Sequence, residues 1–379
     1  MAWIDAWLAP RLAKLEVRRD DAGNYLIRRK DRTKGAPPLL ITAHLDHPAF
    51  VVVAPAGKRP PKGCIDLEFR GGVHDSYFVG TAIEIVDCHG ARHDAKIVRL
   101  DSRAKPFKRV HAKFARASSA TALSIGDVGR WTLPAPRIVD RTLAQGSSAA
   151  TTTRVIETHA CDDLAAVAAA CATFDRLLDE RGAANLGLLF TVAEEVGFIG
   201  AIHAARNRFI PSGSRLLCLE NSRSFPHDSP IGAGAILRVG DRISVFTPAL
   251  TNALADLYQA HAKANPGFRW QRKLMAGGAC EATAFAAYGF ESTCLCLPLG
   301  NYHNMTEIDA TLAATKRNPR ARGRVGCEFV SLDDFHGLVD MLLIAVRGLA
   351  KTPKGQSPTA AHRALMESIY AKSSVVLEG

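Results

Sequence analysis

Four short apolar runs in this chain stop abruptly at acidic or imidazole side chains, and no other feature restricts the fold as strongly. Leu39-Leu40-Ile41-Thr42-Ala43 gives way to His44-Leu45-Asp46-His47, and Leu186-Gly187-Leu188-Leu189-Phe190-Thr191-Val192 to Glu194 and Glu195. Leu216-Leu217-Cys218-Leu219 runs into Glu220, and Thr293-Cys294-Leu295-Cys296-Leu297 leads to Asn301-Tyr302-His303. Continuous apolar runs of this length read as strands buried on both faces. Helical periodicities separate them. Asp163 is placed to cap a helix carrying Leu164, Val167, Ala168, Cys171, Phe174, Leu177 and Leu178 on one face, a short helix is expected over 201–205, and a final one over 332–349. Strand and helix in alternation predict an α/β fold, a mostly parallel sheet sandwiched by helices.

Residues 54–153 have a different texture. Pro60-Pro61, Gly71-Gly72 and short alternating runs such as Ala82-Ile83-Glu84-Ile85-Val86 predict small antiparallel strands, hence an inserted all-β, barrel-like domain. The α/β domain is then discontinuous, 1–53 and 154–379, with a short amphipathic helix and a hairpin turning at Asp21-Ala22-Gly23-Asn24 at its start and one more helix, about 359–371, in its tail. Of the formal charge of +11, residues 58–154 hold 17 Lys and Arg against 9 Asp and Glu, a local excess of +8. Those charges are spread among β-type segments with no interleaved aromatic platform, so nucleic acid is not an expected partner. Nine cysteines form no CxxC pair, as in a reducing compartment, and the N-terminus has Asp5 but no apolar core of a signal peptide. No run of 18 apolar residues is present, so no membrane span is expected, and the expected location is the cytoplasm.

The strand ends carry the chemistry. In an open α/β sheet they converge on one crevice, which would gather His44, Asp46, Asp162, Asp163, Glu194, Glu195, Glu220 and His303. Each is ordinary alone: a solvated His-x-Asp loop, a surface Glu pair, an N-capping Asp, a turn histidine. Together they make a carboxylate-rich cluster that repels itself unless cations are bound. Two divalent metals resolve the repulsion, and the imidazole–carboxylate mixture suits Zn²⁺, with Co²⁺ or Mn²⁺ as alternatives.

Thr191-Val192-Ala193-Glu194-Glu195-Val196-Gly197-Phe198-Ile199-Gly200-Ala201 resembles the T-x-x-E-E-x-G-x-x-G-A segment of the dinuclear metallo-aminopeptidases that include glutamyl, deblocking and tetrahedral (TET) aminopeptidases. Asp21-Ala22-Gly23-Asn24, His44-Leu45-Asp46, Ala160-Cys161-Asp162-Asp163 and Tyr302-His303 with Glu307 match further segments, so the resemblance spans roughly residues 15–350. It implies one metal on His44, Asp162 and Glu220, a second on Asp162, Glu195 and His303, and Glu194 as the general base. Asp46 would orient the His44 imidazole, and the peptide bond after Asp162 would be cis. It also implies peptide substrates and a homo-oligomer assembled through the inserted domain.

His44 and Asp162 are 118 positions apart, against 83 for Glu220 and His303, and an insert in the first interval favours the TET-type architecture. The chain departs from the family at Glu220, where Asp is usual, at Leu164, where Arg often stands, at Glu281 in Gly278-Ala279-Cys280-Glu281-Ala282, and at Asn304-Met305 after His303. Because Glu at position 220 is the habit of related carboxypeptidases and deacylases, those activities are the alternative to an aminopeptidase. A non-catalytic basic binding protein on the same scaffold is the third reading.

Overall fold

The structure, a computed structural model of the chain, describes residues 2–33, 35–54, 63–115, 122–145, 148–350 and 366–372. The chain opens with helix α1 (Ala2–Leu8) and the hairpin β1 (Leu15–Arg19) and β2 (Tyr25–Arg29), then enters β3 (Leu39–His44), every residue of which is buried. Six strands follow: β4 (Ala49–Val52), β5 (Cys64–Arg70), β6 (Ala82–Val86), β7 (Arg92–Asp101), β8 (Lys108–Phe114) and β9 (Val128–Trp131). They close into a barrel in the order β4-β5-β8-β7-β6-β9. Phe50, Phe69, Phe78 and Trp131 fill its interior, all fully buried and with ring centroids 4.8–6.2 Å apart. Four large aromatics supply a core that so short a β segment needs.

Strands β10 (Arg137–Gln145) and β11 (Ser148–Thr158) leave the barrel and pair antiparallel with each other, and β11 pairs antiparallel with β17 (Glu328–Ser331), in a separate three-stranded sheet. Helix α2 (Cys161–Leu177) comes next, then β12 (Leu186–Thr191), α3 (Ile199–Arg206), β13 (Arg215–Arg223), β14 (Ala235–Asp241), α4 (Pro248–Ala264), β15 (Trp270–Met275), α5 (Glu281–Ala287), β16 (Glu291–Leu299), α6 (Ile308–Arg317) and, after β17, α7 (Leu332–Leu349).

The main sheet has eight strands in the order β1-β2-β12-β3-β13-β16-β14-β15. Its centre, β12, β3, β13 and β16, is parallel, as the apolar runs require. The outer strands β2 and β14 join antiparallel to this block. One face is covered by α2, α4 and α7 through Phe174, Leu254, Leu338 and Leu342, the other by α3 and α5 through Ala201, Ala204 and Phe285. The expected α/β sandwich with a closed β-barrel is therefore what forms. Of the predicted tail helix, 366–372 is helical and 351–365, like Pro60-Pro61 of the insert, lies outside the described residues. No helix among the described residues is long and apolar enough to cross a membrane.

Candidate active site

Strands β3 and β12 end side by side, Thr191 paired with His44. Past Thr191 the chain folds back tightly: Gly197 and Phe198 donate their N–H groups to the Glu194 carbonyl (2.8 and 2.9 Å), and Gly200 donates to that of Val192 (3.0 Å). Gly197 has φ +110°, and a Cβ on Gly200 would lie 2.2 Å from the Val192 oxygen, so both glycines are sterically required. Asn24, wholly buried in the β1–β2 turn, splints this loop by accepting from the Val192 N–H (3.1 Å) and donating to the Gly200 carbonyl (3.0 Å). The hairpin motif and the Glu-Glu motif are one structure.

Around the loop the candidate ligands meet. Nε2 of His44 lies 3.4 Å from Asp162, 3.9 Å from Glu220 and 4.0 Å from Glu194, while Nε2 of His303 lies 3.5 Å from Asp162 and 3.2 Å from Glu195. Each histidine gives its Nδ1–H to a backbone carbonyl, His44 to Asp46 (3.1 Å) and His303 to Gly72 of the barrel (2.6 Å). In these tautomers, inferred from the acceptors, both Nε2 lone pairs face the carboxylates. Acceptors that confront acceptors at 3.2–3.5 Å need a cation or a proton between them. Nε2 of His44, Oδ1 of Asp162 and Oε1 of Glu195 are buried and have no hydrogen-bond partner among the described residues.

Two groups present three donor atoms within 4.8 Å of one another, His44–Asp162–Asp163 and Asp162–Glu195–His303, with Asp162 in both. The donor set thus fits divalent metal binding, and it sits against a cavity of about 290 Å³ lined by Asp162, Glu194, Glu195, Glu220 and His303.

The electrostatics agree. Burial alone disfavours a charged His44 or His303, yet the carboxylates of Glu194, Asp162 and Glu220 about the first and of Glu195 and Asp162 about the second raise both well above the usual imidazole range. Burial, reinforced by Asp162, pushes Glu220 up to about 7; burial and then Glu220, Glu195 and Glu281 raise Glu194. Asp162 is driven down against its own burial by the two histidines. The cluster draws in positive charge.

The structure amends some expectations. Asp162 arrives from β11 of the three-stranded sheet, not from a strand end of the main sheet. Asp163 does not cap α2: its carboxylate accepts the His44 N–H at 3.3 Å, and its dihedrals are non-helical. The Asp162–Asp163 peptide bond is cis. The Asp46 carboxylate is 3.7 Å from the His44 ring and instead accepts the N–H groups of Glu194 (3.0 Å) and Glu195 (3.1 Å), leaving its carbonyl to orient the imidazole. Glu281 is buried beside Thr42 (3.2 Å), whereas Glu307 is exposed at the start of α6. Nothing in the sequence marked His47, Gly72 or Glu328 as part of the site, and Asn304 stood out there only as a departure from the family pattern. His47 bonds the Asp162 carbonyl (2.6 Å) and the Asn304 side chain (3.0 Å), and Asn304 is the departure from the family pattern after His303.

The family model of the M42 glutamyl aminopeptidases matches residues 23–316. No curated protein matches the chain. Among solved structures, the TET1 peptidase of Pyrococcus horikoshii is 18% identical with a TM-score of 0.65, over 92% of this chain and 93% of that one. A TET aminopeptidase from a marine-sediment Thaumarchaeota archaeon is 18% identical with a TM-score of 0.67 (91% and 90% covered). An aminopeptidase from Desulfurococcus kamchatkensis is 16% identical, also at 0.67 (93% and 91%). At such identities the likeness is one of fold.

Proposed function

The chain belongs to the M42 glutamyl aminopeptidase family and is a metal-dependent aminopeptidase, and from that premise we propose that the cluster around Asp162 is its catalytic centre. One divalent ion would be held by His44, Asp162 and Glu220 and a second by Asp162, Glu195 and His303. The observation that carries this is the pair of three-residue groups sharing Asp162, with unpartnered atoms facing the same space. Asp163 competes with Glu220 for the first ion, but Glu220 lines the cavity and Asp163 does not. Zinc suits the mixed donors, and Co²⁺ and Mn²⁺ suit them as well.

When bound, such ions polarise a scissile carbonyl and acidify water. Glu194 lines the cavity and, in the role the family resemblance implies for it, its carboxylate would take the proton of the attacking water and deliver it to the departing amine. Asp46 holds Glu194 and Glu195 by their amides, so the base and a ligand keep a constant relation.

The cavity also bears on the residue removed. Arg238 is 2% exposed and lines it, and among the described residues its guanidinium hydrogen-bonds neutral partners, Ser222 Oγ (3.2 Å), the Gly278 carbonyl (3.2 Å) and, more weakly, the Gly240 carbonyl (3.4 Å), with the Glu220 carboxylate acting on it through space. A buried cation with no hydrogen-bonded carboxylate is costly, and an acidic first side chain of the substrate would satisfy it. Assembly with copies of itself fits the exposed Val98, Ile125 and Val128 of the barrel lobe, and light scattering before and after barrel deletion tests it. The activity is tested with a free-amine peptide and its N-acetylated twin, given to protein loaded with Zn²⁺, Co²⁺ or Mn²⁺. Loss of an N-terminal Glu faster than Leu from the free peptide alone, with the preference abolished in Arg238→Met, is the expected result. Release of acetate or of a C-terminal residue without N-terminal trimming overturns it.

A further inference from the structure

Glu328 takes no part in any ligand group and is fully buried beneath the centre, at the start of β17. Its Oε2 accepts the backbone N–H of Asp162 at 2.9 Å and its Oε1 that of His303 at 2.8 Å. The placement follows from the topology. β17 lies between the two chain segments that lead to these residues: Glu328 is opposite Thr158, the last residue of β11, and Phe329 exchanges backbone hydrogen bonds with Gly300 (2.9 and 3.2 Å) just before the His303 turn.

Both segments are irregular where Glu328 grips them. His303 is left-handed (φ 52°, ψ 37°), as are Asn301 and Asn304, and Asp162 is non-helical (φ −81°, ψ 105°) although α2 begins there. Left-handed non-glycine residues persist where surrounding contacts over-determine them. The N–H groups at these positions point away from any regular ladder, and a carboxylate, with two acceptor oxygens, is the side chain able to take both.

We propose that Glu328 is the positioning residue of the metal centre, holding Asp162 and His303 at their mutual distance by their amides, as Asp46 does for Glu194 and Glu195. Four residues of the centre would then be aligned through main-chain atoms by two carboxylates that touch neither substrate nor ion. The proposal rests on the metal-centre reading above.

Glu328→Gln tests it, because a carboxamide keeps the shape but offers a single acceptor oxygen, and its NH₂ faces an N–H head-on. Chelator-stripped wild type and variant are titrated with Co²⁺, with affinities taken from competition with a chelator and coordination from the visible absorption bands. Glu157→Gln is the control: it is equally buried in the adjoining strand and paired with Arg137 and Arg141 (2.9 and 2.8 Å), away from the centre. The expected result is a loss of roughly 10–100-fold in affinity at the site that contains both Asp162 and His303, with altered Co²⁺ bands, a smaller loss at the other site and none in the control. Glu328→Asp, one methylene short, shifts the same site in the same direction. Wild-type affinities and bands in Glu328→Gln, or equal losses at both sites matched by Glu157→Gln, overturn this proposal alone. A wild-type chain that takes up no Co²⁺ overturns it together with the metal-centre reading.

Discussion

Replacing Glu194 by Gln separates the proposed base from the ligands around it. The side chain is 8% exposed and its Oε2 is 4.0 Å from His44, yet it belongs to neither three-residue group. Gln has the same volume, so no cavity forms, and the backbone N–H of residue 194 can still donate to Asp46 at 3.0 Å. The loop and its neighbour Glu195 therefore stay in place. What disappears is a proton acceptor, a loss that typically costs about 10²–10⁴-fold in rate. The floor of that range is about 2.7 kcal/mol of transition-state stabilisation. The variant is expected to hold as much metal per chain as wild type by elemental analysis, to keep KM within a few fold, and to lose at least about a hundredfold in kcat. The metal-free variant should melt no lower than metal-free wild type, because a neutral amide avoids both the burial cost of a charge and the repulsion from Glu220, Glu195 and Glu281 that together raise Glu194. Turnover within tenfold of wild type, or loss of both metals, would refute the assignment.

Other perturbations have equally definite outcomes. His303→Ala removes a donor from one group only, so elemental analysis after dialysis against a weak chelator should find one ion retained and one lost; loss of both together contradicts two separable sites. Gly200→Ala forces a methyl against the Val192 carbonyl and the Asn24 amide, so it should destabilise by about 1–3 kcal/mol and lower kcat by displacing the Glu-Glu loop. A variant with unchanged melting temperature and kcat would show that the turn has slack. His159 is lowered to about 3 by burial first and then by His47 and Arg130. The unfolded chain binds that proton below pH 6.5 and the folded chain does not, so metal-free wild type should lose about 2 kcal/mol between pH 6.5 and 5 from this residue, at ~1.4 kcal/mol per pH unit. Urea denaturation of metal-free His159→Gln should show a flatter dependence over that interval, and an unchanged slope refutes the point.

The residues of the proposed centre, and the α/β sandwich that presents most of them, carry signals in the sequence because those signals are local. A run such as Leu186–Thr191 holds no charged residue and is buried at every position, which only a strand covered on both faces tolerates, and the polarity break after it marks the crevice end of the sheet whatever the rest of the chain does. Gly197 and Gly200 are equally local, since each is demanded by the backbone within a few residues of itself. The barrel was readable as texture for the same reason, through alternation and turn residues.

Tertiary structure decided what depends on pairing across distance. That β11 joins β17, and so delivers Asp162 from a second sheet, is a contact between segments about 170 residues apart that no periodicity in either strand encodes. The same holds for Gly72, which serves His303 through a carbonyl that every residue possesses, and for Asn24, which splints a loop 168 positions away. Glu328 is the clearest instance: in sequence it is one acid before Phe329-Val330, and only the fold sets it under two main-chain N–H groups from different segments, 166 and 25 positions distant. Side-chain chemistry and short-range periodicity belong to the residues themselves, so the sequence by itself determined the kind of sheet and the candidate donors proposed for the centre. Orientation is a property of main-chain atoms brought together by packing, and those atoms are alike at nearly every position, so only the folded chain could decide which of them hold the centre in place.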